Sequence, residues 1–358
     1  MATSAHPVAS APGCVAVSHV LIVHSPANSS AMHAPATPPP RIVAIGETLW
    51  DLLPDGAVWG GAPGNVVCHA AGLGAAGAIV SRVGRDDLGD RGIATLESLG
   101  VDCRHVQRDE ARPTGTVAVS LSPAGDARYE FAADVAWDHL AWEPALAALA
   151  ADAAAVCFGT LGQRAELSRR TIRRFLAAAR GIRVFDVNLR QHFHSPGLIR
   201  ESLSMADVLK LNDEELPVVA AACGIAAADP VAALCELAAR HGLRMAALTR
   251  AASGSVLVAA GQTSLQPARA TTIVDTVGAG DAFTAAVIVG LLRDDPLEVI
   301  HDHAARLATF VCGHRGATPK TTAFTADSPE PMGRQVAGHR ESLADGVSRD
   351  LRVTPKLF

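Results

Sequence analysis

The heptapeptide Asp275-Thr-Val-Gly-Ala-Gly-Asp281 has the residue types and spacing for chemistry on an anion. The apolar run from Ala282 to Leu292 follows at once and reads as a helix, which puts two glycines at its entrance and Asp281 on its first turn. A helix N-terminus offers unpaired backbone N–H groups and a partial positive charge, which together suit an anion. Gly278 and Gly280 let that backbone approach a ligand with no side chain between. Asp281, beside the anion, is placed to take a proton from an attacking hydroxyl. Anion cradle and adjacent base are the equipment for phosphoryl transfer to an alcohol. The plainer alternative is a helix that opens on small residues and an acidic cap.

A second set lies far upstream. Gly46-Glu-Thr-Leu-Trp-Asp51 follows the first strand-like run, and Gly60-Gly-Ala-Pro-Gly-Asn65 comes soon after. Asp51 stands where a strand leaves the main sheet, and a carboxylate there can accept from two hydroxyls. Gly60 and Gly61 permit close backbone approach, and Asn65 brings a donor and an acceptor to a helix start. Singly, each reads as a turn or cap; together they describe a site for a polar, uncharged ligand. Lysine occurs only at 210, 320 and 356, and no G-x-x-x-x-G-K-[ST] sequence is present, so a P-loop is excluded. Phosphates held here would rest on backbone amides, arginines and a divalent metal.

These residues need a scaffold that gathers them. Short apolar runs at 42–45, 78–81, 155–158, 184–187, 208–211, 245–248 and 255–258 alternate with helical spacing at 64–74, 87–99, 164–179, 213–222, 230–241 and 296–312. Such alternation predicts an α/β fold, a doubly wound, mostly parallel sheet with helices on both faces. Ligands in such sheets sit beyond the carboxyl ends of the strands, where the motifs fall. Stretches 48–60 and 114–133 break the alternation with short β segments, 116–121 and 128–131 among them. All four tryptophans (50, 59, 137, 142) and the only tyrosine, Tyr129, lie between 50 and 142. A small β-sheet standing off as a lid accounts for both facts; ordinary core aromatics are the alternative.

With 49% hydrophobic residues in 358, the chain can bury a large core, as one large domain or two smaller ones. A net charge of −5 offers no field for nucleic acid and no draw to a membrane surface. No apolar run nears the roughly 20 residues that span a bilayer. Seven cysteines (14, 68, 103, 157, 223, 235, 312) without a C-x-x-C pair argue against a disulfide framework or a zinc site, and for buried thiols in a reducing cytoplasm. His192 with His194, and His301 with His303, lack further ligands at metal spacing and read as solvated or capping. Residues 1–39, rich in Ala, Pro and Ser, read as a disordered leader or as a start mis-assigned upstream of Met32, and a secretory signal is not expected. Residues 326–358 are polar and read as a loose tail.

The two glycine-rich marks carry a resemblance. Gly-Gly-Ala-Pro-Gly-Asn at 60–65 is close to the bacterial fructokinase form Gly-Gly-Ala-Pro-Ala-Asn, and Asp275–Asp281 resembles the signature of ribokinase-like (PfkB-type) carbohydrate kinases. The resemblance spans about 41–322. It implies a ribokinase-like kinase domain over 41–325, with a lid from about 48–60 and 114–133. It further implies an ATP-dependent sugar kinase with Asp281 as general base, Gly278, Ala279 and Gly280 as anion hole, and Asp51, Gly60, Gly61 and Asn65 as sugar contacts. Asp186-Val-Asn-Leu-Arg190 resembles the D-x-N-x-R element, with Arg190 facing the transferring phosphate. Asn212-Asp-Glu-Glu215 resembles the N-x-x-E motif, with Asn212 at the nucleotide and Glu215 reaching Mg²⁺ through water. Thr249 to Gly254 resembles the nucleotide loop T-x-G-x-x-G, except that Ala251 replaces the middle glycine. Ala305, where relatives often carry an asparagine near the adenine, and Gly64, in place of alanine, are two more departures. Asp275 and the Thr276 carbonyl, helped by Gly316-Ala-Thr-Pro319, are implied to hold a monovalent cation, potassium, and pairing through the lid is implied for a homodimer.

The expected reaction is D-fructose with ATP to fructose 6-phosphate and ADP, in the cytoplasm. Other acceptors stay open: 2-keto-3-deoxygluconate, ribose or a nucleoside. Ala62, where ribokinases usually carry lysine, weighs against ribose, while Trp50, Trp59 and Tyr129 keep a stacked nucleoside open. A non-catalytic sugar sensor would be expected to have lost Asp281 or the glycine pair, and both are present. A nicotinamide dehydrogenase would need G-x-G-x-x-G after the first strand, which Ile45-Gly46-Glu47-Thr48 does not supply.

Overall fold

A computed structural model describes residues 38–53, 56–121, 127–227 and 229–321. The expectations for the leader and the tail fall outside those residues, apart from positions 38 and 39. The elements below belong to the compact unit that begins at Pro39. β1 (Arg41–Ile45) leads to β2 (Leu49–Leu53), β3 (Gly56–Gly60), α1 (Ala62–Gly72) and β4 (Ala76–Gly84). Then come α2 (Asp87–Ser98), β5 (Asp102–Asp109), β6 (Gly115–Leu121), β7 (Ala127–Phe131), α3 (Pro144–Asp152) and β8 (Ala155–Phe158). α4 (Glu166–Ala178), β9 (Ile182–Asp186), α5 (Pro196–Met205), β10 (Val208–Asn212), α6 (Glu215–Ala222) and α7 (Pro230–His241) follow. The chain then forms β11 (Met245–Thr249), β12 (Ser255–Ala259), β13 (Gln262–Gln266), α8 (Ala279–Leu292) and α9 (Leu297–Cys312).

Among the described residues, nine strands form the main sheet in the order β13-β12-β11-β10-β9-β8-β1-β4-β5. The pairs from β11 to β5 are parallel; β12 and β13 close one edge as an antiparallel hairpin. The interior strands are continuous apolar runs, as a sheet covered on both faces requires. One face packs α3 to α7 over residues such as Val43, Phe158 and Leu209. The other packs α1, α8 and α9 over Ile42, Cys157 and Val208. Because the chain first winds outward to β4 and β5, then returns to β8 on the other side of β1, strand order reverses at β1. The crevice beyond the carboxyl ends of β1 and β8 is the place such sheets hold ligands.

Local chemistry explains where the helices start. Asp86, Ser195 and Asp229 accept a backbone N–H three residues on, and Pro196 and Pro230 occupy first helical positions. α8 is buried from Ala282 to Leu291 and apolar on all sides, so it is a central helix without an amphipathic stripe.

The four-stranded second sheet, β3-β2-β6-β7, is inserted between β1 and α1 and after β5. It takes Trp50 and Trp59, which meet edge to face, and Tyr129. The other two tryptophans depart from the lid expectation. Trp137 is buried in a short turn of 3₁₀ helix beneath the small sheet, and Trp142 packs against the main core. A second departure is His301, expected to be solvated or capping: it is fully buried, held by the hydroxyls of Ser255 and Ser264, and burial pushes its pKa down to about 4. The described cysteines are free thiols, three of them buried. No helix among the described residues is long and apolar enough to cross a membrane.

Candidate functional site

The glycine pair at the start of α8 has two different structural reasons. Gly278 adopts φ 80°, ψ −7°, a left-handed conformation that other residues enter at a cost of about 1–2 kcal/mol. A Cβ there would lie 2.6 Å from the Cα and 2.8 Å from the carbonyl carbon of Ala317, with its oxygen closer still. Gly280 has ordinary helical geometry, but a Cβ on it would stand 2.9 Å from Nζ of Lys210. α8 opens with no side-chain cap; the Ala279 N–H turns back onto the Thr276 carbonyl, and the amides that follow it are available to a ligand.

Asp281, on that first turn, is part-buried, and Asn65 donates to it from Nδ2 at 2.8 Å. Burial pushes its carboxyl up to about 6, with the charge of Asp186 adding and Lys210, Asn65 and Arg190 opposing. Asn65 sits one turn into α1, beyond Gly61 (φ 111°), and only 4% of it is exposed. Its Oδ1 has no partner, an orphaned acceptor beside Asp281. Two positions therefore distant in sequence meet.

Asp51, on β2 opposite Val58 of β3, reaches diagonally to Gly60, where a Cβ would come 2.9 Å from Oδ2. Burial raises its pKa and Arg190 opposes the shift. The Arg190 charge thus bears on Asp51 and Asp281 together, while its Nη1 donates to the Leu189 carbonyl at 2.9 Å. Its loop is held by Gln191, which donates to the Tyr129 carbonyl in the small sheet, and by Asn188, which accepts a left-handed φ of 47°.

Asn212 and Glu215 staple the strand ends. Asn212 Oδ1 accepts from the N–H of Glu215, while the two Glu215 oxygens accept from the N–H groups of Leu189 and Asn212. The D-x-N-x-R and N-x-x-E segments are therefore joined through one buried carboxylate. Thr249 and Gly254 form a separate group on the turn between β11 and β12. There Gly254 has φ 81° against the Gln266 carbonyl, and Ala251 is forced to φ 44°, the left-handed region a glycine would enter freely. Asp275 accepts from the N–H groups of Val277 and Gly316, and the Thr276 carbonyl accepts from Ala279, so the 316–319 loop does lie against the heptapeptide.

Three residues here escaped the sequence reading. Glu47, at the end of β1, is 4% exposed; burial pushes its carboxyl up to about 7, and its Oε2 has no partner. Lys210 is 7% exposed and donates to Asp186 Oδ1 at 3.1 Å. His69, one turn beyond Asn65 on α1, hydrogen-bonds the Ala317 carbonyl through Nε2. Lys210 is a buried side-chain cation that the sequence reading names without giving it a place at the site. Its signal was legible: a lone charge inside the apolar run 208–211 cannot be buried without a partner.

A family model described as pfkB family carbohydrate kinase matches residues 56–323. The chain is 33% identical over 299 residues to a fructokinase of Klebsiella pneumoniae, covering 78% of this chain and 94% of that protein. It is also similar to the crystal structure of an uncharacterized sugar kinase of Pyrococcus horikoshii in complex with ATP. There the TM-score is 0.64 and the identity 28%, over 77% of this chain and 94% of that one. A fructokinase double mutant of Vibrio cholerae O395, solved with fructose, ADP and a potassium ion, shares the fold at a TM-score of 0.66 and 23% identity, over 78% and 94% of the two chains.

Proposed function

The chain belongs to the pfkB family of carbohydrate kinases, and on that premise we propose that it transfers the γ-phosphoryl group of ATP to D-fructose, giving fructose 6-phosphate. The observation that carries the reading is the Asn65–Asp281 hydrogen bond. It joins the end of the glycine-rich acceptor segment to a carboxyl on the first turn of an uncapped helix. Asp281, raised toward neutrality by burial, takes the proton of the primary hydroxyl as that oxygen attacks. Amides at 278–280 and the Arg190 fork meet the charge of the transferring group. Asn65 Oδ1 and Asp51 accept from sugar hydroxyls, with Gly60 and Gly61 keeping backbone within reach. The small sheet serves as a lid that keeps water from competing with the sugar.

Among the described residues no group of three His, Cys, Asp or Glu side chains stands ready for a metal, and Glu215 already accepts two amides. That donor set fits a Mg²⁺ that arrives on the nucleotide and reaches Glu215 through water, since Mg²⁺ keeps much of its hydration shell. When bound, the ion would neutralise phosphate charge. Asp275 and the Thr276 carbonyl supply hard oxygens beside the 316–319 loop, which suits the monovalent cation; Thr249 and Gly254 line the nucleotide's path with Asn212.

The test is an acceptor panel at fixed ATP: D-fructose, D-ribose, 2-keto-3-deoxygluconate and a nucleoside. D-fructose is expected to give the highest kcat/KM, and a better acceptor would replace it in the reading. Asp281→Asn is expected to lower turnover by about 10²–10⁴-fold with sugar affinity retained. Near-normal turnover in that variant would remove Asp281 as the base.

A further inference from the structure

Lys210 is the buried cation nearest the start of α8, and neither the resemblance nor the acceptor reading gives it work. It projects from β10 on the face that packs α1 and α8, since its neighbour Val208 packs there and Leu209 and Leu211 pack opposite. Its ammonium donates to Asp186 Oδ1 at the end of β9. The other oxygen, Oδ2, accepts from Thr284 Oγ1 at 2.8 Å, one turn into α8. A Cβ on Gly280 would stand 2.9 Å from the same ammonium. Lys210 and Asp186 thus tie the start of α8 to two neighbouring strands through Thr284, three residues beyond Asp281, whose hydroxyl also lies 3.1 Å from the Gly280 carbonyl.

An ion pair buried only for stability needs no such address, and apolar residues of the same volume often replace one without loss. Here the pair lies under the turn that carries Asp281. The charged groups facing Lys210 come from several elements: Asp186 on β9, Glu215 at the start of α6 and Asp281 on α8. Arg190 and Glu47 complete the set around Asp281, from the loop after β9 and the end of β1. In a low-dielectric site a fixed ammonium acts on a neighbouring carboxylate without rearranging.

We propose that Lys210 is a positioning residue for the proton transfer: through Asp186 and Thr284 it seats the first turn of α8, and it supplies the counter-charge for the Asp281 carboxylate. The proposal rests on the reading of Asp281 as the base. Asp186 moderates the effect, because its negative charge offsets part of the ammonium. The two therefore act on Asp281 with opposite signs. A role confined to packing would not have that signature.

The experiment is the pH dependence of kcat, from pH 5 to 9 with D-fructose and ATP, for the wild type, Lys210→Met, Asp186→Asn and the double variant. Thermal unfolding is run alongside to establish that each is folded. Lys210→Met should move the acid limb up by about one pH unit or more, a typical effect of losing an adjacent opposite charge, which from a limb near 6 cuts turnover at pH 7 by about twofold or more and at pH 6 by about fivefold or more. Asp186→Asn should move the limb down, and the double variant should return it close to the wild-type position. KM for the sugar should change less than kcat in all three. Folded Lys210→Met with an unmoved limb, or with a loss of turnover that is flat in pH, overturns the proposal. Should Lys210→Met not fold, Asp186→Asn decides: a lower limb supports it and an unmoved one overturns it. Asp281→Asn separates the two readings. An active Asp281→Asn removes the base assignment itself, whereas an inactive one with an unmoved Lys210→Met limb removes only the role of Lys210.

Discussion

Replacing each glycine of the anion cradle by alanine should give two different outcomes, although the substitutions are chemically the same. At 278 the new methyl meets two penalties. The left-handed backbone costs about 1–2 kcal/mol for a non-glycine residue. The Cβ is also driven into the backbone of Ala317, 2.6 Å from its Cα, and overpacking of this kind costs about 1–3 kcal/mol. Backbone cannot rotate aside, so the 316–319 segment must shift, and with it the Gly316–Asp275 and His69–Ala317 hydrogen bonds. Gly278→Ala is therefore expected to lose roughly 2–5 kcal/mol of stability, a large part of the ~5–15 kcal/mol a domain possesses. Turnover should fall with it. At 280 the backbone is already helical, where alanine gains about 1 kcal/mol over glycine, and the methyl meets a side-chain end, the Lys210 ammonium, which can shift by a few tenths of an ångström where backbone cannot. Gly280→Ala should stay within about 1 kcal/mol of wild type while turnover drops, because the ammonium is displaced from the first turn. Urea unfolding followed by tryptophan fluorescence gives the stabilities, and a coupled ADP-release assay the rates. If the two variants lost equal stability, or if Gly278→Ala lost less than about 1 kcal/mol, the steric account of the cradle would be wrong.

Three further outcomes are expected. Turnover should decline as pH falls through about 6, where Asp281 gains its proton, reaching about a tenth of its plateau one unit lower; Asn65→Ala should shift that limb upward, and a flat wild-type profile between pH 5 and 7 would contradict it. Ala251→Gly should stabilise the protein by about 0.5–1 kcal/mol in the same urea titration, because alanine at φ 44° pays a cost that glycine does not; no gain would mean that the turn is relaxed in solution. Glu47 is held from 4.5 up to about 7, so the native state binds its proton more tightly than the unfolded chain, and the group's contribution weakens as pH rises between those values. Glu47→Gln should therefore flatten that slope and raise stability at pH 8 by an amount on the order of 3 kcal/mol at most, as denaturation midpoints at pH 5 and 8 would reveal.

The sheet was legible because its interior strands are unbroken apolar runs, and the motifs were legible because glycine and carboxylate next to a helix start leave few alternatives. What escaped notice was polar or uniformly apolar. The edge strands β5 and β13 read Asp-Cys-Arg-His-Val-Gln-Arg-Asp and Gln-Thr-Ser-Leu-Gln, with exposed faces that carry no strand-like run. α3 is mostly alanine and leucine and has no stripe to betray a helix. α5 escaped as well, although Ser195 and Pro196 form a cap-and-proline start, because the helical spacing read from the sequence did not extend over it. At the site, Asp51, Asn65 and Asp281 were found from their neighbours in sequence. Glu47, His69 and Lys210 were not, because each is an isolated polar residue: Lys210 meets Asp186, 24 positions away, His69 meets the Ala317 carbonyl, 248 positions away, and Glu47 Oε2 has no partner. Burial could be inferred for them from sequence; the partner could not.

On the proposed function, the distribution of charge explains why amides would serve here where a P-loop uses lysine. Five carboxyls, from Glu47, Asp51, Asp186, Glu215 and Asp281, surround two cationic side chains, Lys210 and Arg190. A polyphosphate entering alone would meet that excess of negative charge, which favours a nucleotide that carries its own divalent cation. A free lysine against the phosphates would attract them more strongly, but it would also stabilise the ionised Asp281. A carboxylate stabilised in that way is a poorer acceptor for the hydroxyl proton. Backbone amides and the helix dipole attract phosphate with only a fraction of a unit charge, and so leave Asp281 close to the value that burial sets. Lys210 is tolerable beside Asp281 because Asp186 takes up part of its charge. On the proposed function, the glycines at 278 and 280 follow from the same requirement: a site that binds an anion beside a carboxyl that must stay basic gains by letting backbone amides share that work with Arg190.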